Sequence, residues 1–413
     1  MDKTAKAIMK FRLFSVFLVG LATAFNTFAI HVGGRPLSAA LLAVALYFVS
    51  LLALPIRRNV SVCANNLGKF IMLPIVYVFL MSMMNIVYYN GSSAIFPFAV
   101  FMDWILFLAL LAHSVDDSRA IDFCLYGLSF GAIILSVLFF FGIGVEVNIT
   151  REGERLSMFG SNENVLGIFQ CIGSCVILNL FIFEDRLRLK KYRWLFVVPL
   201  VLSASMIFAT GSRTALLILI LIYGCSLLTL NTKRKFLKFL LIVGGFAAFI
   251  FSAGRFLTSE SAMAQRFLLT LQEGNTGGRT DIWIAYLKYF PNHPLLGVGN
   301  SGMIDIATVN GVGTTDITGH VMALSPHNVL VEILMTTGIV GFFIMAVFWK
   351  NIWKAAYQTL GNFKCSMPII LSIPILIVIL SGQILEEKYA WIVYAYTLAC
   401  SMGNFHNVSL PRH

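Results

Sequence analysis

Arg155, Arg213, Arg279 and His327 have the types and settings to handle an anion and a proton. Arg279 follows Gly277-Gly278 and opens RTDIWIAYLKYF, where Ile282, Trp283, Tyr286, Leu287 and Phe290 recur at helical spacing. This pattern predicts a short amphipathic helix at a membrane surface. Its N-terminus would combine free amides, the positive end of the helix dipole and a guanidinium, a set that suits an anion. Arg213 enters an apolar run directly after Thr210-Gly211-Ser212. An arginine there either snorkels to the interface or meets an anion such as a lipid phosphate. Arg155 leads through Ser157-Met158-Phe159 into Gly160-Ser161-Asn162, a helix start. The plainer reading of that stretch is a solvated loop in which Glu146, Glu152 and Glu154 neutralise Arg151 and Arg155. His327 lies in SPHNVLVE, where Pro326 is expected in the first turn of a helix and Asn328 and Glu332 are near. Its imidazole, largely a free base at neutral pH, could accept a proton; a hydrogen-bonding wedge at the interface is the alternative. No phosphate-loop or dinucleotide-binding glycine pattern occurs, so a nucleotide site has no support.

The elements that must position these residues are membrane helices. Of the 413 residues, 58% are apolar and only 12% charged, which excludes a soluble domain. The expected fold class is all-α: a polytopic integral membrane protein with about twelve transmembrane helices. Their approximate spans are 13–31, 37–54, 70–89, 94–112, 121–144, 163–183, 194–210, 213–230, 236–253, 327–348, 367–384 and 389–405. Residues 1–413 read as a single transmembrane domain. Its large extracytoplasmic loop, 254–325, joins the ninth and tenth spans and contains the short interfacial helix.

Charge sets the orientation. The net charge is +11, and 21 of the 30 basic residues fall on the N-terminal side of the alternating loops. The positive-inside rule then places both termini in the cytoplasm and the 254–325 loop outside. Basic residues spread over so many loops form no stripe for nucleic acid. Seven of the nine outer basic residues are arginine, the side chain suited to forked phosphate contacts. The first span reads as a retained helix, because cleaving it would invert every later loop. Seven cysteines show neither a disulfide framework nor zinc spacing, and Cys171 and Cys175 read as small packing residues on one helical face. No metal ligand set and no cofactor are expected. Asp103, an acid inside the fourth span, calls for either a function or a partner on a neighbouring helix. Gly338 and Gly341 suggest close helix packing, and Glu386-Glu387-Lys388 suggest a tight outer turn.

The pieces RLSMFGSNENVLG, TGSRTALL, GGRTDIWIAYLKYFPNHPLLGVG and SPHNVLVEILMTTGIVGF, in this order, resemble the O-antigen ligase and polymerase superfamily of bacterial membrane glycosyltransferases. The resemblance runs from about Arg155 to Gly341. It implies a metal-independent, inverting glycosyltransferase of the inner membrane, with its active site facing the periplasm and a donor glycan carried on undecaprenyl diphosphate. Carried over, Arg213 and Arg279 hold the diphosphate and His327 is the base. Arg155 is a looser match, and Asn328 joins the substrate-binding set. Compact length, twelve spans and one large loop favour a ligase that transfers O-antigen to the lipid A core. A polymerase joining lipid-linked repeat units is the alternative. A transporter of lipid-linked glycans would call for repeat symmetry and paired broken helices, which the sequence lacks.

Overall fold

The computed structural model describes residues 3–32, 35–53, 60–88, 95–150, 153–229, 279–310, 313–315, 321–323 and 325–402. The expected ninth span, residues 254–278 of the large loop with Gly277-Gly278, and Arg151 lie outside the described residues. Helices run in the order α1 (Lys3–Thr23), α2 (Ala39–Ala53), α3 (Val60–Val87), α4 (Ile95–Asp116), α5 (Arg119–Phe140) and α6 (Glu163–Val176). There follow α7 (Val197–Ala209), α8 (Arg213–Thr229), α9 (Arg279–Tyr289), α10 (Gly299–Asn310), α11 (Val329–Phe363), α12 (Met367–Ser381) and α13 (Lys388–Ser401).

Among the described residues five helices are long and apolar enough to cross a membrane: Phe96–Asp116, Arg119–Phe140, Glu163–Phe183, Lys191–Ala209 and Val329–Phe363. Shorter apolar helices cover Ala39–Ala53, Met72–Val87, Arg213–Thr229 and Met367–Ser381. The chain is a multi-pass, predominantly helical membrane protein.

Three details differ from the sequence reading. The first helix is displaced toward the N-terminus, ending at Thr23. β1 (Ala29–Val32) then pairs antiparallel with β2 (Arg35–Ser38). Two more antiparallel hairpins, β3 (Val145–Thr150) with β4 (Gly153–Met158) and β5 (Gly313–Thr315) with β6 (Val321–Ala323), qualify the all-α reading. All three lie in connections that the charge pattern assigns to the outer side. Finally, α11 continues to Phe363, well past the expected end of its span.

The bundle is tightest where small residues meet. Gly20 of α1 lies against the Cys124 carbonyl and Gly127 of α5 against the Phe17 carbonyl, so these helices touch backbone to backbone. At the centre α6 is buried almost all round. Its Gln170 Oε1 accepts hydrogen bonds from Ser136 Oγ (3.2 Å) and Ser203 Oγ (2.8 Å), satisfying an amide far from water. Cys171 packs there as a small residue, its thiol 3.1 Å from the Ala215 carbonyl. Charge marks the two ends. Arg186 pairs with Asp122 (3.0 Å) and Glu184 (2.7 Å) at the end where α5 starts and α6 finishes; the candidate site residues lie at the other.

Gly338 breaks α11 rather than easing helix packing, with φ +64° and ψ −164° inside the helix. The segment after α9 fills the break. Val298 N donates to Met335 O (2.7 Å), Ile339 N to Pro294 O (2.8 Å) and Val340 N to Leu295 O (3.1 Å). A Cβ on Gly338 would run into the Leu295 backbone, and one on Gly297 (φ +69°) would meet the Met335 carbonyl at 2.5 Å. Above this clasp Tyr286, Val298, Met303, Ile306, Ala307, Val331 and Met335 form a small outer core that seats α9 and α10 on α11.

Gly338→Ala should therefore unfold the outer half of the site. This backbone conformation, essentially restricted to glycine, alone costs alanine about 1–3 kcal/mol, and the backbone collision adds to it. Thermal unfolding in detergent should show a clear loss of stability. Gly361→Ala, at a position of α11 with open space around it, should leave stability unchanged or slightly raised.

Candidate active site

Arg155 lies on β4, opposite Asn148 of β3, and is 7% exposed. Its guanidinium is fully directed. Nη1 is 3.2 Å from Glu163 Oε2, Nη2 donates to Asn164 Oδ1 (3.1 Å), and Nε donates to the Thr210 carbonyl (3.0 Å). Asn148 Nδ2 holds the other Glu163 oxygen at 2.6 Å. Glu163 opens α6 behind the N-cap Asn162, whose side chain accepts from Asn164 N. Arg155 thus ties a hairpin, a helix start and the turn between α7 and α8 into one body.

That turn leads into Arg213, the first residue of α8, and Ser212 Oγ receives the Ala215 amide (3.3 Å). The next residue, Thr214, places its hydroxyl 3.5 Å from Ser381 Oγ at the end of α12. Arg279 reaches the same point, donating from Nη1 to the Ser381 carbonyl at 3.0 Å. A guanidinium on the last carbonyl of a helix is favoured by both hydrogen bonding and the helix dipole. Arg279 opens α9 as expected; Tyr286 on that helix is buried against α10 and α11 while Ile284 and Leu287 are exposed.

The helix after His327 begins one step later than the sequence suggested. Asn328 is its N-cap, with Oδ1 accepting from Leu330 N (3.0 Å) and Val331 N (3.3 Å), because asparagine satisfies the free amides that proline leaves alone. Pro326 and His327 therefore precede α11. Trp283 of α9 donates to the Pro326 carbonyl (2.6 Å), and His327 adopts a left-handed backbone, φ +46°, with its amide on Ser325 Oγ (3.2 Å). The imidazole is half-buried and lies in the field of both Arg279 and Arg155. Burial first, then these two cations, lowers its pKa from the usual 6.5 to about 4. The structure thus brings His327, Arg279 and Arg155 together, with Arg213 one residue from the contact Arg279 makes.

Sequence reasoning missed Ser381, Thr210 and Glu163. Only Glu163 left a signal, as an acid in the first turn after an N-cap asparagine. Asp103 does have its partner, Lys388, at 3.4 Å across α4 and α13. Among the described residues no group of three or more His, Cys, Asp or Glu side chains is placed to hold a metal ion.

Residues 198–346, about a third of the chain, match the family described as O-Antigen ligase. Over these residues the chain is similar to the O-antigen ligase family. No curated protein matches it. The matched segment contains Arg213, Arg279, His327 and the Gly338 break, whereas Arg155, Glu163 and Ser381 lie outside it. The likeness is to membrane enzymes of the ligase or polymerase type.

The buried pair of Arg155 and Glu163 yields a test. Removing one member of such a pair leaves the other charge uncompensated and typically costs about 3–5 kcal/mol. Glu163→Gln should lower the thermal midpoint markedly, and Arg155→Met with Glu163→Gln together should recover part of the loss. Independent, additive losses would show that the pair is not the link between hairpin and bundle.

Proposed function

We propose that this protein transfers an O-antigen polysaccharide from undecaprenyl diphosphate to a sugar of the lipid A core, at the periplasmic face of the inner membrane. The observation that carries this reading is the convergence of Arg155, Arg279, the arginine-led start of α8 and His327 at one end of an apolar bundle. Attack of a sugar hydroxyl on the anomeric carbon expels a diphosphate. The site must then supply fixed positive charge where negative charge develops and a base beside the incoming hydroxyl.

In this mechanism Arg213 and Arg279 hold the diphosphate. Arg155, compensated by Glu163, chiefly fixes the turn that aims Arg213. His327 takes the acceptor proton as the new glycosidic bond forms and the bond to diphosphate breaks, inverting the anomeric centre; no metal takes part. Asn328 contributes chiefly by capping α11 and fixing the backbone of His327. The depressed pKa gives the order of events. In the free enzyme the imidazole is neutral but a weak base, because burial disfavours its charged form and the arginines repel a proton. A bound diphosphate would offset the arginines' share of that shift, though not the burial share, so proton affinity rises when the donor is in place.

The first test is genetic. Deleting the gene should remove all polymer from the lipid core while long chains accumulate on the carrier lipid. A single repeat unit left on the core would instead indicate the polymerase.

Purified variants test the roles. Arg279→Lys keeps the charge but loses the forked donors and the reach to Ser381, so turnover should fall at least about tenfold at equal abundance. Wild-type turnover in this variant would leave Arg279 supplying a general field only.

His327→Gln keeps a hydrogen bond but cannot accept the proton at neutral pH; it should lower the rate by about a hundredfold or more. Because the free enzyme's imidazole protonates near pH 4, wild-type kcat/KM should hold as the pH falls from 7 to about 5 and lose its base only below that. An acid limb at the ordinary histidine value, or a fast His327→Gln variant, would reject the assignment.

A further inference from the structure

The segment that fills the break in α11 is gripped a second time, by the end of α3. Asn85, in the last turn of α3 and only 5% exposed, accepts at Oδ1 from the Ser301 amide (3.0 Å) and the Ser301 hydroxyl (3.3 Å). That amide belongs to the first turn of α10, where an N–H has no partner within its own helix. Backbone contact closes the joint. Gly299 has φ +67°, and a Cβ there would meet the Asn85 amide nitrogen at 2.7 Å and the Met84 carbonyl carbon at 2.8 Å. Three residues after Asn85, the Tyr88 hydroxyl lies 2.9 Å from His293 Nδ1, and the two rings meet edge to face at 5.2 Å.

These contacts flank the Gly338 clasp. The clasp holds residues 294–298 by backbone hydrogen bonds, while Tyr88 holds His293 before it and Asn85 holds Gly299 and Ser301 after it. A segment pinned only at its middle can rock; pinned on both flanks it cannot. The candidate site hangs on this segment. Helix α9, with Arg279 at its start, runs through the turn Phe290–Asn292 directly into His293. Strand β6 packs on α10 and ends four residues before His327. Trp283 ties these two arms to each other through the Pro326 carbonyl. Asn85 and Tyr88 lie outside the matched residues 198–346.

We infer that Asn85 and Tyr88 are positioning residues of the active site, which fix the tilt of α9 and α10 on α11 and thereby the placement of Arg279 against His327. This rests on the glycosyl-transfer reading above, in which those two side chains act on donor and acceptor.

The test uses purified full-length protein in proteoliposomes, with an undecaprenyl-diphosphate-linked glycan as donor and lipid A core oligosaccharide as acceptor. Asn85→Leu, which leaves Ser301 without this acceptor, should lower kcat/KM by about tenfold to a hundredfold at equal abundance of folded protein, the scale of a misplacement of about 1 Å. Asn85→Asp keeps an acceptor at the helix start and should recover most of the loss. The pH profile separates positioning from a mere loss of folded protein. The acid limb of His327 depends on its burial and on Arg279, so a displaced α9 should move that limb from about pH 4 toward the ordinary value of 6.5. A loss that is uniform over pH, an Asn85→Asp variant as slow as Asn85→Leu, or an Asn85→Leu variant as fast as wild type overturns the positioning role. If Asn85→Leu does not fold, Tyr88→Phe, which removes one hydroxyl, decides by the same limb.

Amide hydrogen exchange on the same proteins keeps two failures apart. Asn85→Leu should speed exchange at Val298 and Ser301 by about tenfold or more, the loss of one buried hydrogen bond. Unchanged exchange there overturns the inference by itself. Should the wild type transfer glycan neither to lipid A core nor to a lipid-linked repeat unit, the glycosyl-transfer reading falls, and exchange still decides whether α3 holds the segment.

Discussion

Three backbone hydrogen bonds between Pro294–Val298 and Met335–Val340 hold the outer half of this protein together. A helix broken within a membrane-spanning segment exposes amides and carbonyls that lipid cannot satisfy, and each would cost several kcal/mol if left alone. Here the break at Gly338 and the incoming segment satisfy one another. Because Gly297 and Gly338 both adopt positive φ at the point of closest approach, the two backbones touch with no room for a side chain. The clasp sets the height of α9 and α10 against α11, so Arg279 at one end and His327 at the other are placed by the same contact.

Electrostatics then divides the outer end into two regions. On one side Arg155 is neutralised by Glu163 and spent on fixing a turn, while Arg279 is anchored on the carbonyl of Ser381. Anchoring a guanidinium removes conformational freedom before the substrate arrives, which is what makes fixed charge effective in a transition state. On the other side Lys388 pairs with Asp103 at 3.4 Å across α4 and α13.

The depressed pKa of His327 belongs to this division. Burial first, and then the nearby Arg279 and Arg155, make its imidazole a poor base. In the proposed mechanism an anion on the cationic side would offset the arginines' share of that shift, linking donor occupancy to proton abstraction. The left-handed backbone of His327, held by Ser325 and by the Trp283 bond to Pro326, keeps the ring in that field.

Composition and charge pattern by themselves determined that this chain is a helical, multi-pass membrane protein, because a long apolar run in lipid has few alternatives to a helix. Short motifs were equally legible: the turn into Arg213 and the helix starts at Asn162 and Arg279, since caps and turns are local chemistry; the cap at Asn328 was not read. The tertiary structure alone decided what those residues meet. That Arg155 reaches Thr210 and that Arg279 and Thr214 converge on Ser381 depend on contacts between residues far apart in sequence. No periodicity records such contacts. The break at Gly338 was also hidden, because a glycine in an apolar helix reads as close packing. Only the segment that arrives to satisfy the freed backbone makes a break there stable.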